Sequence, residues 1–202
     1  MGRRSEIALQ KKGAIKIGPF GSSLSKKEMV GTGFKVYGQE NVFNNNFKIG
    51  AYFIAPEKYE RLKTCTLYKG DVVLTMMGTI GASAIFPENA EVGVMDSHLL
   101  RIQPDAGRIN SNLLCKQLKE SVFIKGQIRK MSQGGIMAGL NASIVKSIKI
   151  PIPSISEQND FCKILESIET NIDSNEIKLF HTKSLKKALM QDLLTGKVRV
   201  AV

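Results

Sequence analysis

Cysteine, histidine and tryptophan are scarce in this sequence, and it has no long apolar run. The 202 residues include three cysteines, two histidines and no tryptophan. Cys65, Cys115 and Cys162 are odd in number and lack a paired spacing, which fits neither a disulfide framework nor a zinc site. His98 and His181 cannot form a metal cluster by themselves, and no stretch is apolar for long enough to cross a bilayer. We therefore expect a protein of the reducing cytoplasm with no metal of its own.

Motifs for catalysis are also missing. None of the six prolines is followed by a second proline, whereas a DNA methyltransferase needs an Asn/Asp-Pro-Pro-aromatic loop. Asp71, Asp96 and Asp105 do not cluster as the metal-binding acids of a nuclease would. The Gly-Thr-Ile-Gly segment at 78–81 lacks the lysine of a phosphate-binding loop and is better explained as a hairpin turn. We therefore expect that the chain is not an enzyme and binds no cofactor.

Basic residues are concentrated in the first three quarters of the chain. The formal net charge at pH 7 is +11. Residues 1–153 contain 22 basic and 11 acidic residues, whereas residues 154–202 contain seven of each. The surplus in the first segment favours a polyanionic partner. The alternative is a basic surface with no such partner.

A single long helix is predicted at the end of the chain. Ser154 and Glu157 have the spacing of a capping box, and no proline or glycine follows until Gly196, where a helix end favours a left-handed residue. About forty uninterrupted residues would form a rod of roughly 60 Å. The chain is therefore predicted to be α+β, with a mixed α/β globular domain at 1–153 and a long coiled-coil helix at 154–202.

Apolar side chains recur along that helix at alternating spacings of three and four residues, as in a coiled coil. The apolar positions of this seam, which we assign to dimerisation, are Leu165, Ile168, Ile172, Leu179, Leu189 and Leu193. Residues 157–176 carry six acids and one base, whereas residues 178–202 carry six bases and one acid. An antiparallel pair of like helices would place opposite charges together. The alternative is that the charges complement the helix macrodipole, although that effect is confined to the terminal turns.

The rest of the chain is predicted to form short strands and helices. Apolar runs bounded by turn residues indicate strands at 14–17, 34–37, 72–77, 82–86, 92–102 and 148–152. The 92–102 segment is either one long strand or a strand pair. Helices are predicted at 56–63, with proline in the first turn, and from Asn110 or Ser111 through Val122. His98 lies among apolar neighbours, which favours a buried position.

Polar loops and nearby bases are the candidate DNA contacts. Gly18 to Leu24 forms a turn rich in glycine and serine that can approach phosphates, and Asn44 to Asn46 is a polar tip. Contacts to the DNA backbone are predicted for Lys11, Lys12, Lys16, Ser22, Ser23, Lys26, Lys27, Arg129 and Lys130. Base contacts are predicted for Gln39, Asn41, Asn44, Asn45 and Gln133. The alternatives are a plain turn at 18–24 and asparagines that serve only turn geometry.

Five segments carry a family resemblance through their order and spacing. They are GPFGSSLSK, VYGQENV, KGDVVLTMMGTIGASAIF, NASIVKSIKIPIPSISEQ and LLTGKVRV. Together they resemble one target-recognition domain and one conserved helix of the specificity (S) subunit of type I restriction-modification systems. The resemblance implies a mixed α/β domain that binds one half of a bipartite DNA site, and helices that pack antiparallel and set the spacing between half-sites.

The resemblance also implies partner proteins. S subunits recruit methyltransferase (M) subunits, which carry S-adenosylmethionine and methylate a flipped adenine, and restriction (R) subunits, which use ATP. The usual S subunit has two domains and two helices, so this sequence resembles a half-subunit, either natural or a fragment. It also lacks the tryptophan that often precedes the first strand. We expect pairing with itself or with a second half-subunit. The alternative function is a coiled-coil adaptor or an anti-restriction protein that does not read sequence.

Overall fold

The computed structural model describes residues 2–3, 13–20, 23–77, 81–132 and 140–199. The chain divides into two compact units, Met1–Asn159 and Asp160–Val202, which we call the globular unit and the helical unit. The described strands are β1 (Gly2–Arg3), β2 (Ile15–Ile17), β3 (Met29–Val30), β4 (Phe34–Tyr37), β5 (Phe53–Ile54), β6 (Val72–Thr75), β7 (Ser83–Ile85), β8 (Gly93–Met95), β9 (Leu99–Ile102) and β10 (Lys149–Ile150). The described α-helices are α1 (Gln39–Phe43), α2 (Pro56–Leu62), α3 (Ser111–Glu120), α4 (Val122–Ser132), α5 (Ala142–Ser147) and α6 (Ile155–Leu194).

One sheet of the globular unit is antiparallel, with the strand order β2-β9-β6-β7. Every residue of β6 and β9 is buried, and the two faces of the sheet belong to different apolar clusters. Val72 and Leu74 pack in one cluster with residues of α3, α4 and α5, whereas Val73 packs in the other. Because both faces are covered, residues 72–74 of β6 form a continuous apolar run rather than an alternation of apolar and polar residues.

The second sheet has the order β3-β5-β4-β8 and contains one parallel pair. Strands β4 and β8 run parallel, with Tyr37 opposite Met95. Residues of α1 and α2 pack against this sheet in the second cluster, which also contains Val73. Because Tyr37 and Met95 are the last residues of their strands, the segments that follow them begin side by side at one edge of the sheet.

The predicted strand at 92–102 is two strands that belong to different sheets. Strand β8 pairs with β4, and β9 pairs with β2 and β6, so the two are not partners of each other. The prediction of one strand or one strand pair was wrong, because the turn at 96–98 carries the chain from one sheet into the next. The predicted strand at 148–152 is also shorter, since only β10 is paired, with β1.

The helix predicted to run through Val122 ends earlier. Asn110 caps α3 by accepting a hydrogen bond from Asn112 N at 2.8 Å, as predicted. Ser121 is extended, with φ −63° and ψ 116°, and therefore ends the helix at Glu120. A second helix, α4, then begins at Val122, whose side chain is 85% exposed. Val122 thus lies outside the helix in which the sequence placed it, and its side chain is exposed.

The start of α6 confirms the predicted capping box. Ser154 N donates to Glu157 Oε2 at 2.8 Å, and Glu157 N donates back to Ser154 Oγ at 3.4 Å. The helix ends at Leu194, and Gly196 has a φ of 71°, which glycine adopts without steric cost. The predicted start at the capping box and the predicted end before Gly196 are confirmed, and the helix is shorter than the segment 154–202 assigned to it.

The first turn of α6 belongs to the globular unit. Gln158 is fully buried, and its side chain accepts a hydrogen bond from Asn110 N at 2.8 Å and donates one to Arg108 O at 2.9 Å. These bonds satisfy both ends of the buried amide within the same unit. The division between the units therefore falls after Asn159, within the helix, and the functions assigned to 1–153 and 154–202 stay predictions.

Candidate nucleic-acid interface

Three segments of the globular unit meet where strands of the two sheets end. Asp96 N, after β8, donates to Tyr37 O at the end of β4 at 2.8 Å. Met76 N, after β6, donates to His98 O at 2.9 Å. Gln39 Nε2 donates to Met77 O at 3.1 Å, which joins the segment after β4 to the segment after β6. The carboxyl ends of β4, β6 and β8 are thus held at one place by hydrogen bonds.

A groove of about 390 Å³ opens at this junction. Its walls include Lys26, Gln39, Tyr52, Asp96 and His98. Tyr52 is 50% exposed, so the groove combines an accessible aromatic ring with charged and amide groups. Concave sites at the carboxyl ends of parallel strands commonly bind ligands, because loops from neighbouring strands converge there.

Asp96 and His98 form a hydrogen-bonded pair in the groove. His98 N donates to Asp96 Oδ1 at 2.9 Å, and His98 Nδ1 lies 3.3 Å from Asp96 Oδ2. The side chains are 26% and 49% exposed, respectively. Burial raises the pKa of the Asp96 carboxyl, and the hydrogen bonds from His98 oppose that rise. The prediction of a buried His98 was wrong, because the turn between the two sheets places it at the surface.

Two glycines allow close approach around Asp96. A Cβ atom on Gly18 would lie 1.7 Å from the backbone oxygen of Asp96, and Gly18 N donates to Leu99 O at 3.0 Å. The beginning of the predicted loop at 18–24 is therefore fastened to the turn that carries Asp96. On another side, a Cβ atom on Gly38 would lie 3.2 Å from Asp96 Oδ2, so glycine leaves that carboxylate oxygen uncrowded.

Some of the residues predicted to contact the DNA backbone near the loop at 18–24 lie beside the groove. Ser23, Lys26 and Lys27 are exposed, Lys26 lines the groove, and Lys16 is partly buried in β2. Predicted contacts that lie outside the described residues are Lys11, Lys12 and Ser22. Arg129 and Lys130 are exposed on the last turns of α4.

Glu28 follows Lys26 and Lys27 in the chain but forms its ion pair with Lys58. Lys58 Nζ donates to its carboxylate, as do Ser25 N and Ser25 Oγ, at 2.9 Å and 3.1 Å. The hydrogen bond from Lys58, with those from Ser25, lowers the pKa of Glu28 to about 2. Glu28 therefore stabilises the local turn and Lys58, and it forms no ion pair with Lys26 or Lys27.

The predicted base-reading residues divide into two groups. Asn41 is only 1% exposed; its Nδ2 donates to Asn46 O and Ile49 O at 3.1 Å and 3.0 Å, and its Oδ1 accepts from Gly38 N at 2.9 Å. We therefore correct its assignment: Asn41 holds the loop together and is not accessible to DNA. Gln39, by contrast, lines the groove.

The asparagine tip has the turn geometry that the sequence left open as an alternative. Asn44 Nδ2 donates to Glu40 O at 2.8 Å, and Asn45 is left-handed, with a φ of 46°. Both side chains are exposed, so base contacts by Asn44 and Asn45 stay predictions. Gln133 lies outside the described residues.

The predicted seam of the helical unit is largely exposed. Ile168, Ile172, Leu179, Leu189 and Leu193 are 45–53% exposed, and Leu165 is partly buried. Exposed apolar residues at this regular spacing are typical of a helix that packs against a partner. None of the described helices is apolar for long enough to cross a membrane.

Sequence reasoning missed the Asp96–His98 pair. Asp96 was considered only as a metal ligand, and His98 only as a metal ligand or a core residue. A polar triplet directly after an apolar strand was a usable signal, because strand ends position functional side chains. The parallel pairing of β4 with β8, which brings Asp96 beside Gly38, could not be seen in the local sequence.

These features define a small α+β domain with a groove lined by charged, amide and apolar side chains, followed by a single long helix with exposed apolar residues. The chain belongs to the family described as the type I restriction modification DNA specificity domain, whose family model matches residues 16–180. The resemblance noted from the sequence is thereby confirmed.

Individual relatives agree with this family. The type I restriction enzyme MjaVIII specificity subunit of Methanocaldococcus jannaschii is 25% identical over 185 residues, which cover 89% of this chain and 43% of that protein. A chain from a solved type I restriction-modification system has a TM-score of 0.67 at 14% identity, and covers 94% of this chain and 43% of its own length. The HsdS subunit from Thermoanaerobacter tengcongensis has a TM-score of 0.59 at 16% identity. The match covers 86% of this chain and 38% of that subunit. The chain thus spans less than half the length of these relatives.

Proposed function

We propose that this chain is a non-catalytic DNA-recognition subunit that binds one half of a bipartite site in a type I restriction-modification complex. The observation that carries the proposal is the family match over residues 16–180. It is supported by the basic surplus of residues 1–153 and by a groove at the converging strand ends whose walls include charged and amide side chains. The family favours this function over a coiled-coil adaptor or an anti-restriction protein.

The proposal assigns catalysis to partner subunits. An M subunit would supply S-adenosylmethionine and the methyl transfer, and an R subunit would supply ATP-driven cleavage. This chain would contribute binding and register on the DNA: lysines would contact phosphates, and polar groups at the strand ends would contact bases. Purified alone, it should bind duplex DNA but transfer no methyl group.

We further propose that two copies pair through the helical unit in an antiparallel arrangement. The acidic segment 157–176 of one copy would face the basic segment 178–202 of the other, whereas a parallel pair would place like charges together. The apolar seam would supply most of the affinity, and the charges would choose the orientation, since exposed ion pairs each contribute little. Two-fold symmetry would then require a palindromic bipartite site.

The seam itself favours one register. An antiparallel coiled coil alternates its two core positions across the interface, so apolar layers must match apolar layers. The register that best meets this condition places Ile168 opposite Leu193 and Ile172 opposite Leu189 of the second copy, and it leaves Leu179 opposite Thr182 at the centre. The polar position Asn175 then lies opposite Lys186, so no isolated polar group faces an apolar layer there.

Cysteine crosslinking tests both orientation and register. We expect a mixture of Ile168→Cys and Leu193→Cys chains to form a disulfide-linked heterodimer under mild oxidation, and neither variant alone to form a linked homodimer. Linked homodimers of each single variant would indicate a parallel pair. Wild-type protein is the control for Cys65, Cys115 and Cys162, all of which are buried and form no disulfide within the described part of the chain.

DNA binding is tested first on random duplexes and then on the target sequence. Binding should weaken steeply as salt rises, because phosphate contacts release counterions. Co-expression with an M subunit of the same system, followed by mapping of methylated adenines across the genome, should return a two-part palindromic motif. Salt-insensitive binding to duplex DNA, or random methylation, would contradict the proposed function.

A further inference from the structure

Asp96 is an acidic side chain in a unit with a large basic surplus. A carboxylate at a DNA surface is repelled by phosphates, so it weakens binding unless it meets a hydrogen-bond donor on the nucleic acid. In the major groove those donors are the exocyclic amino groups of cytosine N4 and adenine N6, and aspartate and glutamate accept hydrogen bonds from such a group. A carboxylate in a groove beside Lys26 is therefore suited to reading bases rather than to binding the backbone.

The structure holds this carboxylate in a fixed position. The backbone of Asp96 is anchored by Tyr37 O at 2.8 Å, and its side chain accepts from His98 N at 2.9 Å, with His98 Nδ1 3.3 Å from the other oxygen. A side chain that is already oriented loses little conformational entropy when it binds a base. A Cβ atom at position 38 would lie 3.2 Å from Asp96 Oδ2. Because Gly38 has no Cβ atom, one approach to this oxygen stays open.

We propose that the groove between segments 38–40 and 96–98 is a base-reading site in which the Asp96 carboxylate accepts a hydrogen bond from the amino group of a cytosine or an adenine. His98 is a positioning residue that orients the carboxylate through Nδ1. This inference rests on the proposed DNA-recognition function and adds to it the chemical class of base that one site selects. Gln39, which lies in the same groove, contacts the same or the adjacent base pair.

The principal test compares Asp96→Ala with Glu88→Ala. Both changes remove one negative charge from the globular unit; Glu88 is exposed, pairs with Lys69 and does not line the groove. Each full-length variant is expressed with the M subunit, and methylated adenines are mapped. We expect Asp96→Ala to reduce discrimination by about 5- to 100-fold at a single C or A position of each half-site. Glu88→Ala should leave the motif unchanged.

Asp96→Asn identifies the base. An asparagine amide hydrogen-bonds well to adenine through N6 and N7, whereas it replaces one carboxylate oxygen with a donor that cytosine N4 cannot accept. A position that reads adenine should therefore remain adenine in this variant, and a position that reads cytosine should shift towards adenine. Asn also keeps an oxygen that can accept from His98 N, so the turn should fold as in wild type.

Two variants distinguish the positioning role of His98 from a contribution to folding alone. In His98→Asn the amide nitrogen can occupy the place of Nδ1, so the motif should be retained. In His98→Ala that donor is lost, and discrimination should fall at the same base position as in Asp96→Ala. Gly38→Ala, which has an ordinary backbone φ of −121° but crowds Asp96 Oδ2, should weaken the same position.

The outcomes distinguish this inference from the function on which it rests. A wild-type chain that directs no sequence-specific methylation would overturn the proposed function and this site with it. A clear wild-type motif that is identical in Asp96→Ala, His98→Ala and Gly38→Ala would overturn the base-reading site alone. Loss of discrimination at all motif positions together, with a lowered melting temperature, would assign Asp96 to stability and would likewise overturn the site.

Discussion

The globular unit and the helical unit differ in how far their apolar side chains are exposed. In the globular unit, two clusters bury nearly complete strands such as β6 and β9, and polar groups converge where strands end. In the helical unit, Ile168, Ile172 and Leu179 remain about half exposed. The first unit therefore buries the apolar residues of its central strands internally and presents polar groups where strands end. The second presents apolar surface, which is the property expected of a segment whose packing partner is another chain.

The largest expected effect concerns a buried cation of the globular unit. Arg101 is 4% exposed, and its guanidinium donates hydrogen bonds to Thr66 O and, at 2.9 Å, to Gly13 O. Its Nε atom lies 3.8 Å from Asp71 Oδ2. Burial lowers the pKa of Arg101, and Asp71 opposes that effect. We expect Arg101→Ala to lower the free energy of unfolding by about 3–5 kcal/mol, because Asp71 and the carbonyl groups lose their buried partner.

Urea denaturation of the full-length protein measures this loss. The matched control is Lys69→Ala, which removes a cation from an exposed pair with Glu88 whose side chains are 65% and 75% exposed. Such pairs typically contribute less than about 1 kcal/mol. Equal losses for the two variants would contradict the distinction between buried and exposed charge.

The next largest effect concerns the seam of the helical unit. We expect Ile172→Asp to weaken self-association by at least about 30-fold, because a charge would replace a central apolar contact. Ile177→Asp is the matched control: Ile177 is similarly exposed, at 58% against 51%, but lies off the 3-and-4 seam. Analytical ultracentrifugation over a concentration series gives both dissociation constants. Equal weakening by the two changes would show that the seam is misassigned.

A smaller effect separates two asparagines of one loop. Asn41→Ala should lower the free energy of unfolding by about 1–3 kcal/mol, because it leaves buried backbone groups without partners. Asn44→Ala, at an exposed position that bonds Glu40 O, should change it by about 0.5 kcal/mol or less. Thermal and urea unfolding test the pair. A stable Asn41→Ala protein with altered base preference would restore Asn41 as a DNA contact.

The same loop shows why sequence alone could not assign its residues. Asparagine suits both base reading and the capping of tight turns, so the local pattern permits either role at Asn41 and Asn44. Only burial distinguishes them, and burial depends on segments far away in the chain. The Asp96–His98 pair was missed for a related reason, since its position depends on the parallel contact between β4 and β8.

The long helix was predictable because its signals are local. The capping box at Ser154 and Glu157, the lack of proline and glycine within the helix, and Gly196 after its end determine both boundaries without reference to the rest of the fold. Apolar runs located β2, β4, β6 and β7 for the same reason, whereas β1, β3 and β5 were not predicted. The grouping of the strands into sheets was not predictable, because a strand's partner is not encoded in its own residues.

The smallest expected effect concerns lysines beside the groove. Lys26→Gln and Lys27→Gln should each weaken DNA binding by a similar factor on target and unrelated duplexes, because phosphates carry no sequence information. Each loss of a phosphate contact should also reduce the slope of log K against log salt by about one unit. Titrations at several salt concentrations measure this slope, with Lys119→Gln, an exposed lysine of α3, as the charge-matched control. A change in sequence preference without a change in slope would contradict this assignment. It would show that these two lysines contact bases and not phosphates, and that base contacts extend beyond the residues at the strand ends.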